Sequence, residues 1–127
     1  MAKKILIVED EKILADMYEE SFRQHGFDVA VAFSAEQGIV LAQREKPDIV
    51  LLDILFPVGS GIEFLRAKRN DPAIAFIPVV VFSNYDDPET KREAVDLGAL
   101  AYLLKTSFTP QQIIERVEHF LSSQTTP

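Results

Sequence analysis

The length and composition of the chain fit one small domain with its own core. It has 127 residues, 47% of them hydrophobic, no cysteine and a formal net charge of −7. The lack of cysteine excludes disulfides and cysteine-based zinc sites and agrees with a cytoplasmic location. The acidic balance argues against direct binding to nucleic acid, which needs clustered Lys and Arg. The first apolar run, residues 5–8, is too short to be a signal segment or to span a membrane, so no membrane contact is predicted.

Five short apolar runs, rich in β-branched residues, alternate with longer amphipathic stretches. The runs cover residues 5–8, 29–32, 49–52, 79–82 and 101–104. The first, third and fourth are apolar at consecutive positions, which is typical of parallel strands buried on both faces. In the stretch after the first run, apolar pairs recur every four residues, beginning at Ile13 and Met17, as in a helix.

Most of the amphipathic stretches also carry signals for the start of a helix. Two Ser-x-x-Gln/Glu patterns resemble capping boxes, and two prolines each follow a residue that can cap a helix. These start signals are, in chain order, Ser34, Ser60, Asp87 before Pro88, and Thr109 before Pro110. Together with the five runs, they predict five β-α units.

The alternation of strands and helices predicts the fold class. A chain of five β-α units forms an α/β domain, doubly wound, with a parallel sheet covered by helices on both faces. We expect this single domain to cover residues 1–123. Residues 124–127 are polar and are predicted to form a frayed C-terminal tail.

Polar side chains follow four of the five predicted strands. In an open α/β sheet, ligands bind outside the carboxyl ends of the strands, so these residues are the candidates for a site. Glu9 and Asp10 follow the first run, Asp53 the third, Ser83 the fourth and Lys105 the fifth. Three carboxylates, a hydroxyl and an ammonium group are therefore predicted to meet at one edge.

Three carboxylates at one edge need a compensating charge. Two carboxylates about 5 Å apart repel by roughly 3 kcal/mol at an effective dielectric constant of about 20. Mg²⁺ can provide that charge, since it prefers carboxylate and carbonyl oxygens together with waters. A carboxylate next to such an ion and a lysine is suited to accept a phosphoryl group, because both cations neutralise charge on the group in transfer.

The order of these residues resembles the CheY-like receiver domains of two-component response regulators. Residues 53–61, Asp-Ile-Leu-Phe-Pro-Val-Gly-Ser-Gly, are similar to the family's Asp-x-x-Met-Pro-x-Met-Asp-Gly stretch. They keep the Asp, the Pro and the last Gly, and replace both Met residues and the second Asp. The resemblance covers residues 4–121 and implies a flavodoxin-like sheet with strand order 2-1-3-4-5. Receiver proteins are a known example of this order.

The resemblance implies a phosphoacceptor and a set of Mg²⁺ ligands. Asp53 would accept the phosphoryl group and also bind the metal. Asp10 would bind Mg²⁺ directly and Glu9 through a water molecule. The backbone carbonyl of Leu55 would be the remaining protein ligand, so the identity of that side chain matters little for the metal.

The resemblance also implies a switch and its partners. Ser83 and Lys105 would bind the phosphoryl oxygens, and Ser83 and Tyr102 would form the switch. The domain would catalyse only its own phosphorylation and dephosphorylation, and would otherwise not be an enzyme. A histidine kinase or a histidine phosphotransfer protein would donate the phosphoryl group. An output domain or downstream protein would bind the surface formed by the fourth helix, fifth strand and fifth helix.

The chain departs from the family pattern at Thr106 and at Asn84, which stands where many members have Ala, and the first departure and two side chains near the site lead to predictions. The family usually has a proline after a cis peptide where this chain has Thr106. A cis bond before a non-proline residue costs about 2.5–4 kcal/mol, so we predict a trans Lys105–Thr106 peptide. Leu55 and Tyr85 occupy the positions that flank the path of the hydrolytic water in this fold class. Leucine cannot orient a water and tyrosine can obstruct it, which predicts a comparatively long-lived phosphorylated state.

Other readings of the same residues remain open. The strand-end carboxylates could be simple caps, or the chain could be a pseudo-receiver that only scaffolds. A Mg²⁺-dependent phosphohydrolase with an aspartyl nucleophile would often use a second Asp two positions later, where this chain has Leu55. A dinucleotide-binding module is suggested only by Gly59-x-Gly61, and Phe64 stands at the third glycine position.

Overall fold

Strands and helices alternate strictly along the chain, as the sequence predicts. The computed structural model describes residues 2–124. The elements are β1 (Lys4–Val8), α1 (Lys12–Gln24), β2 (Asp28–Ala32), α2 (Ala35–Glu45), β3 (Ile49–Leu52), α3 (Gly61–Arg69), β4 (Val79–Ser83), α4 (Pro88–Asp96), β5 (Ala101–Leu104) and α5 (Pro110–Gln124). A short 3₁₀ helix, Lys105–Ser107, joins β5 to α5.

The five strands form one parallel sheet in the order β2-β1-β3-β4-β5. This confirms the predicted doubly wound α/β fold. The register places Val8 of β1 beside Ala32 of β2 and Leu52 of β3, and Leu52 beside Val81 of β4. The carboxyl ends of the central strands are therefore level, and the residues that follow Val8 and Leu52 must lie close together.

The sheet separates two apolar layers. Alternate residues of each strand point to opposite faces, so Leu6 and Val8 pack with α2 and α3, whereas Ile5 and Ile7 pack with α1 and α5. All four residues of β3 are buried, as expected for the central strand of a sheet covered on both sides. The two layers hold the sheet rigidly, and with it the strand ends that carry the polar side chains.

The predicted helix starts are present, with one difference at α2. Ser60 and Glu63 form a full capping box at α3, and Asp87 and Thr109 also accept from backbone N–H groups. At α2, the Ser34 hydroxyl accepts from the Gln37 N–H, but the Gln37 side chain accepts from Phe33 N–H, one residue earlier than in a capping box. The start of α2 is therefore fixed by the same two side chains in a slightly wider loop.

Helices α5 and α1 can be compared with two further predictions from the sequence. Helix α5 continues to Gln124, so the first residue of the predicted tail is helical, and residues 125–127 lie outside the described residues. On α1, Tyr18 and Phe22 are buried, whereas Ile13 is 85% exposed, so only one side of the predicted apolar stripe faces the core. No helix between residues 2 and 124 has both the length and the apolar character needed to cross a bilayer.

Candidate functional site

A cleft of about 230 Å³ opens at the carboxyl end of the sheet. It lies where the loops after β1, β3, β4 and β5 meet. Its lining residues are Asp10, Glu11, Asp53, Leu55, Ser83, Asn84 and Lys105. Glu9 is 3% exposed and contacts Lys105 from below the cleft. The structure thus brings together the predicted metal and phosphoryl-binding residues in one place.

The three carboxylates of the site lie close enough to share one ion. Glu9, Asp10 and Asp53 each offer an oxygen, and these oxygens lie within 4.8 Å of one another. Asp53 is 8% exposed and Asp10 is half-buried at the cleft. Burial raises the pKa of Glu9, although the hydrogen bonds from Lys105 and from the Glu11 N–H oppose that shift. Carboxylates crowded in this way require a nearby cation.

Lys105 is the cation that the protein itself supplies. Its ammonium group donates to Asp53 Oδ2 at 3.0 Å and forms a second ion pair with Glu9 Oε1. Burial alone would lower the pKa of Lys105, but the two carboxylates outweigh it and raise the pKa. Lys105 therefore stays charged and neutralises part of the acidic cluster.

The Asp53 side chain is held in a defined orientation at the floor of the cleft. Its Oδ1 accepts from the Ile54 N–H at 2.7 Å, while Oδ2 accepts from Lys105. Its own N–H donates to the Val8 carbonyl at 3.0 Å, which continues the pairing of β1 and β3 past the end of the strands. The carboxylate is therefore held by two hydrogen bonds, and its backbone is anchored to the end of β1.

The loop between β3 and α3 folds back tightly over Asp53. The Ile54 carbonyl accepts from the Gly61 N–H at 2.8 Å, and Leu55 pairs with Ser60 in a single antiparallel bridge. A Cβ on Gly61 would lie 2.2 Å from the Asp53 carbonyl oxygen, so only glycine allows this approach. Within residues 2–124, no hydrogen bond to the Leu55 carbonyl is found, which leaves that oxygen free to bind a metal.

Ser83 and Tyr102 are joined through the backbone of Tyr85. The Ser83 hydroxyl is fully buried and accepts from the Tyr85 N–H at 3.1 Å. The Tyr102 hydroxyl donates to the Tyr85 carbonyl, and burial is the main cause that raises the pKa of Tyr102 to about 12. Lys91 of α4 lies over the Tyr102 ring, 5.9 Å from its centroid. Sequence reasoning found both switch candidates but missed this shared attachment, which is made by backbone atoms.

The predictions on the Lys105–Thr106 peptide and on Leu55 and Tyr85 have different outcomes. The Lys105–Thr106 peptide is trans, as predicted. Leu55 is 52% exposed and lines the cleft, where it can affect the approach of water. The Tyr85 side chain is exposed and is not among the residues that line the cleft, which favours the alternative that it has no effect on hydrolysis.

The available ligands fit Mg²⁺. All of the candidate donors are oxygens, from the three clustered carboxylates and from the Leu55 carbonyl, and the cleft is open enough for waters. Mg²⁺ is bound in proteins through one or two carboxylates while it keeps several waters. A zinc or copper site would favour nitrogen or sulfur ligands, and the cluster contains none. The donor set therefore favours a hard divalent cation.

Solved structures of several receiver proteins resemble this fold closely. A CheY-like receiver domain protein from Methanospirillum hungatei JF-1 has a TM-score of 0.91 and 25% identity, over 98% of this chain and 97% of its own. CheY4 of Vibrio cholerae has a TM-score of 0.86 and 26% identity, over 94% and 98%. The BeF3-activated receiver domain of Klebsiella pneumoniae RstA has a TM-score of 0.84 and 29% identity, over 94% and 98%.

A family comparison of the sequence agrees with the structural one. Residues 5–118 match the family described as the response regulator receiver domain. The matched segment extends from β1 into α5 and contains every residue of the cleft. The protein is therefore a member of the response regulator receiver domain family.

Proposed function

We propose that this domain accepts a phosphoryl group on Asp53 in a Mg²⁺-dependent reaction and signals through the resulting change of shape. The observation that carries the proposal is the environment of that carboxylate. Asp53 lies at the floor of an open cleft, bonded to Lys105 at 3.0 Å and within 4.8 Å of two further carboxylates. A structural cap would not need a lysine and an acidic pair assembled around it.

The groups at the cleft suit transfer from a phosphohistidine. In the reaction, the bond between phosphorus and the donor imidazole breaks as a bond to an Asp53 oxygen forms, and the imidazole leaves with the electron pair. Lys105 is placed to neutralise charge on the phosphoryl oxygens, since it already contacts the acceptor carboxylate. Asp10, Asp53, the Leu55 carbonyl and, through a water, Glu9 would hold the metal. Bound Mg²⁺ would add a second positive charge beside the transferring group.

We further propose that the new phosphoryl group acts on the β4–α4 loop. A phosphoryl group adds roughly 1.5 to 2 negative charges and strong acceptor oxygens. Ser83 can donate to one of these oxygens if its side chain rotates towards the cleft, and that rotation would carry the hydroxyl oxygen away from the Tyr85 N–H that donates to it. Because Tyr102 is attached to the same residue, its ring would follow and become more buried. The surface of α4, β5 and α5 would then change for an output domain or a downstream protein.

The proposal implies a phosphodonor and a compartment. A histidine kinase or a histidine phosphotransfer protein is the expected donor, and the cytoplasm is the expected location. A signalling phosphoacceptor fits better than a phosphohydrolase, because Leu55 cannot serve as the acid or base that such an enzyme often places two residues after its nucleophile. Leu55 reaches the cleft and would limit, not assist, hydrolysis.

A phosphoryl mimic tests this proposal without a kinase. BeF3⁻, which activates the Klebsiella RstA receiver domain, should perturb the backbone NMR signals of the cleft and of Tyr102 when it is added with Mg²⁺. Asp53→Asn should abolish the response. Asp28→Asn, which changes an exposed carboxylate at the opposite end of the sheet, should respond as the wild type does. An equal response of Asp53→Asn and wild type would refute the assignment of Asp53.

A further inference from the structure

Tyr18 is a buried side chain with a polar hydroxyl, and it has no role in the proposed phosphotransfer. It lies on the inner face of α1 and is 5% exposed. Its ring packs edge-on against Phe82 of β4, with 5.1 Å between the ring centroids. Within residues 2–124, its hydroxyl makes no hydrogen bond to a protein atom and is not completely enclosed by protein atoms, so it has room to bond to a water.

A small cavity connects Tyr18 with the acidic site. Its volume is about 10 Å³. It is lined by Ile7, Val8, Glu9, Tyr18, Leu51, Asp53 and Phe82. A buried water needs roughly 10–15 Å³ and two to four polar partners, so this cavity is at the lower size limit for one water and has three polar side chains in its wall.

The electrostatics of Tyr18 place its hydroxyl near the charges of the site. Burial raises the pKa of Tyr18, Lys105 lowers it and Glu9 raises it. Lys105 also lies over the ring of Phe82, the aromatic partner of Tyr18, 5.8 Å from its centroid. Tyr18 and Phe82 therefore form an aromatic wall next to the Glu9–Lys105 ion pair, and Tyr18 and Glu9 line the same small cavity.

We propose that Tyr18 is a positioning residue for the acidic site, and that its hydroxyl shares one buried water with the carboxylates of Glu9 and Asp53. The inference rests on the proposed Mg²⁺-dependent function. Glu9 already accepts from Lys105 and from the Glu11 N–H, and a third contact from below would fix the carboxylate on the side facing α1. Residues that orient metal ligands in this way typically change metal affinity 10–100-fold when they are altered.

Removal of the hydroxyl alone tests the positioning role. Tyr18→Phe keeps the ring and its contact with Phe82, so its midpoint of unfolding in urea should stay close to that of the wild type. Its dissociation constant for Mg²⁺, measured by calorimetry with Mg²⁺ alone, should rise about tenfold, the lower end of that range. Phe22→Leu, one turn further along α1 and away from the cleft, should lower stability but leave Mg²⁺ binding unchanged. A dissociation constant of Tyr18→Phe for Mg²⁺ within twofold of the wild-type value would overturn the inference.

The water is tested independently of the metal. A high-resolution crystal structure of the Mg²⁺-free wild type should show a water within hydrogen-bond distance of the Tyr18 hydroxyl and of Glu9 or Asp53, and the water should be absent from Tyr18→Phe. A dry cavity in the wild type would overturn the inference. A wild type that contains the water but binds no Mg²⁺ would refute the metal part of the proposed function. It would also refute the role of Tyr18 in metal binding. The water site itself would still be established.

Discussion

Replacing Gly61 with alanine would place a methyl group where the structure has no room for one. The added Cβ would lie 2.2 Å from the carbonyl oxygen of Asp53 and 3.0 Å from the Cα of Ile54. Ordinary contact begins at 3.4 Å, so the β3–α3 loop and the Asp53 backbone must move apart by about 1.2 Å. No side-chain rotation can relieve this clash, because the nearest atom belongs to the backbone.

This displacement should affect both stability and function. Overpacking costs about 1–3 kcal/mol of stability, and a backbone clash belongs at the upper end of that range. Gly61→Ala should therefore lower the free energy of unfolding, measured in urea, by about 3 kcal/mol. A misplacement of about 1 Å at a reacting group can cost about 100-fold in rate. We therefore expect phosphorylation by a small phosphodonor with Mg²⁺ to slow by about that factor, as measured by intact mass against time on folded protein.

Gly26→Ala is the matched control for this experiment. Gly26 has φ +88° and no atom within 4 Å of an added Cβ, so alanine there incurs only the left-handed backbone strain of about 1–2 kcal/mol. It lies at the end of α1, far from the cleft, and its phosphorylation rate should match that of the wild type. Gly61→Ala protein that is folded and phosphorylated at the wild-type rate would refute the reasoning, and so would equal slowing in both variants.

Three further predictions concern the cleft and the switch. Leu55→Asn should speed loss of the phosphoryl group because an amide can orient water, whereas Tyr85→Ala should leave the rate unchanged; slower or unchanged decay in Leu55→Asn would contradict this. Tyr102 should become more buried with BeF3⁻ and Mg²⁺, and an unchanged rotamer and exposure in crystal structures of both states would count against the switch. Lys105→Met should be less stable than the wild type at neutral pH by about 1–3 kcal/mol, because Glu9 and Asp53 lose their buried counter-ion. Mg²⁺ should restore part of that loss. A stability equal to that of the wild type would argue against Lys105 as the counter-ion of the acidic cluster.

The fold and most of the candidate site could be predicted because both depend on local patterns. Continuous apolar runs such as that of β3 mark buried parallel strands, and the residue after each strand is brought to the same edge by the topology. Asp53 and Lys105 are far apart in the chain, yet their places at strand ends suffice to predict that they meet. The cap residues at Ser60 and Asp87 likewise act within one helical turn.

Features that depend on the third dimension could not be predicted in this way. Tyr18 and Met17 are neighbours on one apolar stripe, and only packing decides that Tyr18 faces the acidic site and that Ile13 faces solvent. The distance of 2.2 Å between an added Cβ at Gly61 and the Asp53 carbonyl oxygen depends on how closely the β3–α3 loop folds over Asp53. In the sequence alone, this glycine could equally well indicate a simple turn. The link through Tyr85 uses backbone atoms, which no side-chain pattern reveals.

Intact mass spectrometry on two variants tests the central claim most directly. Wild type, Asp53→Asn and Asp28→Asn would each be treated with a small phosphodonor, with and without Mg²⁺. Wild type and Asp28→Asn should gain one phosphoryl group in the presence of Mg²⁺ only, and Asp53→Asn should gain none, because Asp53 is the carboxylate held between Lys105 and the acidic pair. Equal labelling of Asp53→Asn and wild type would contradict the account.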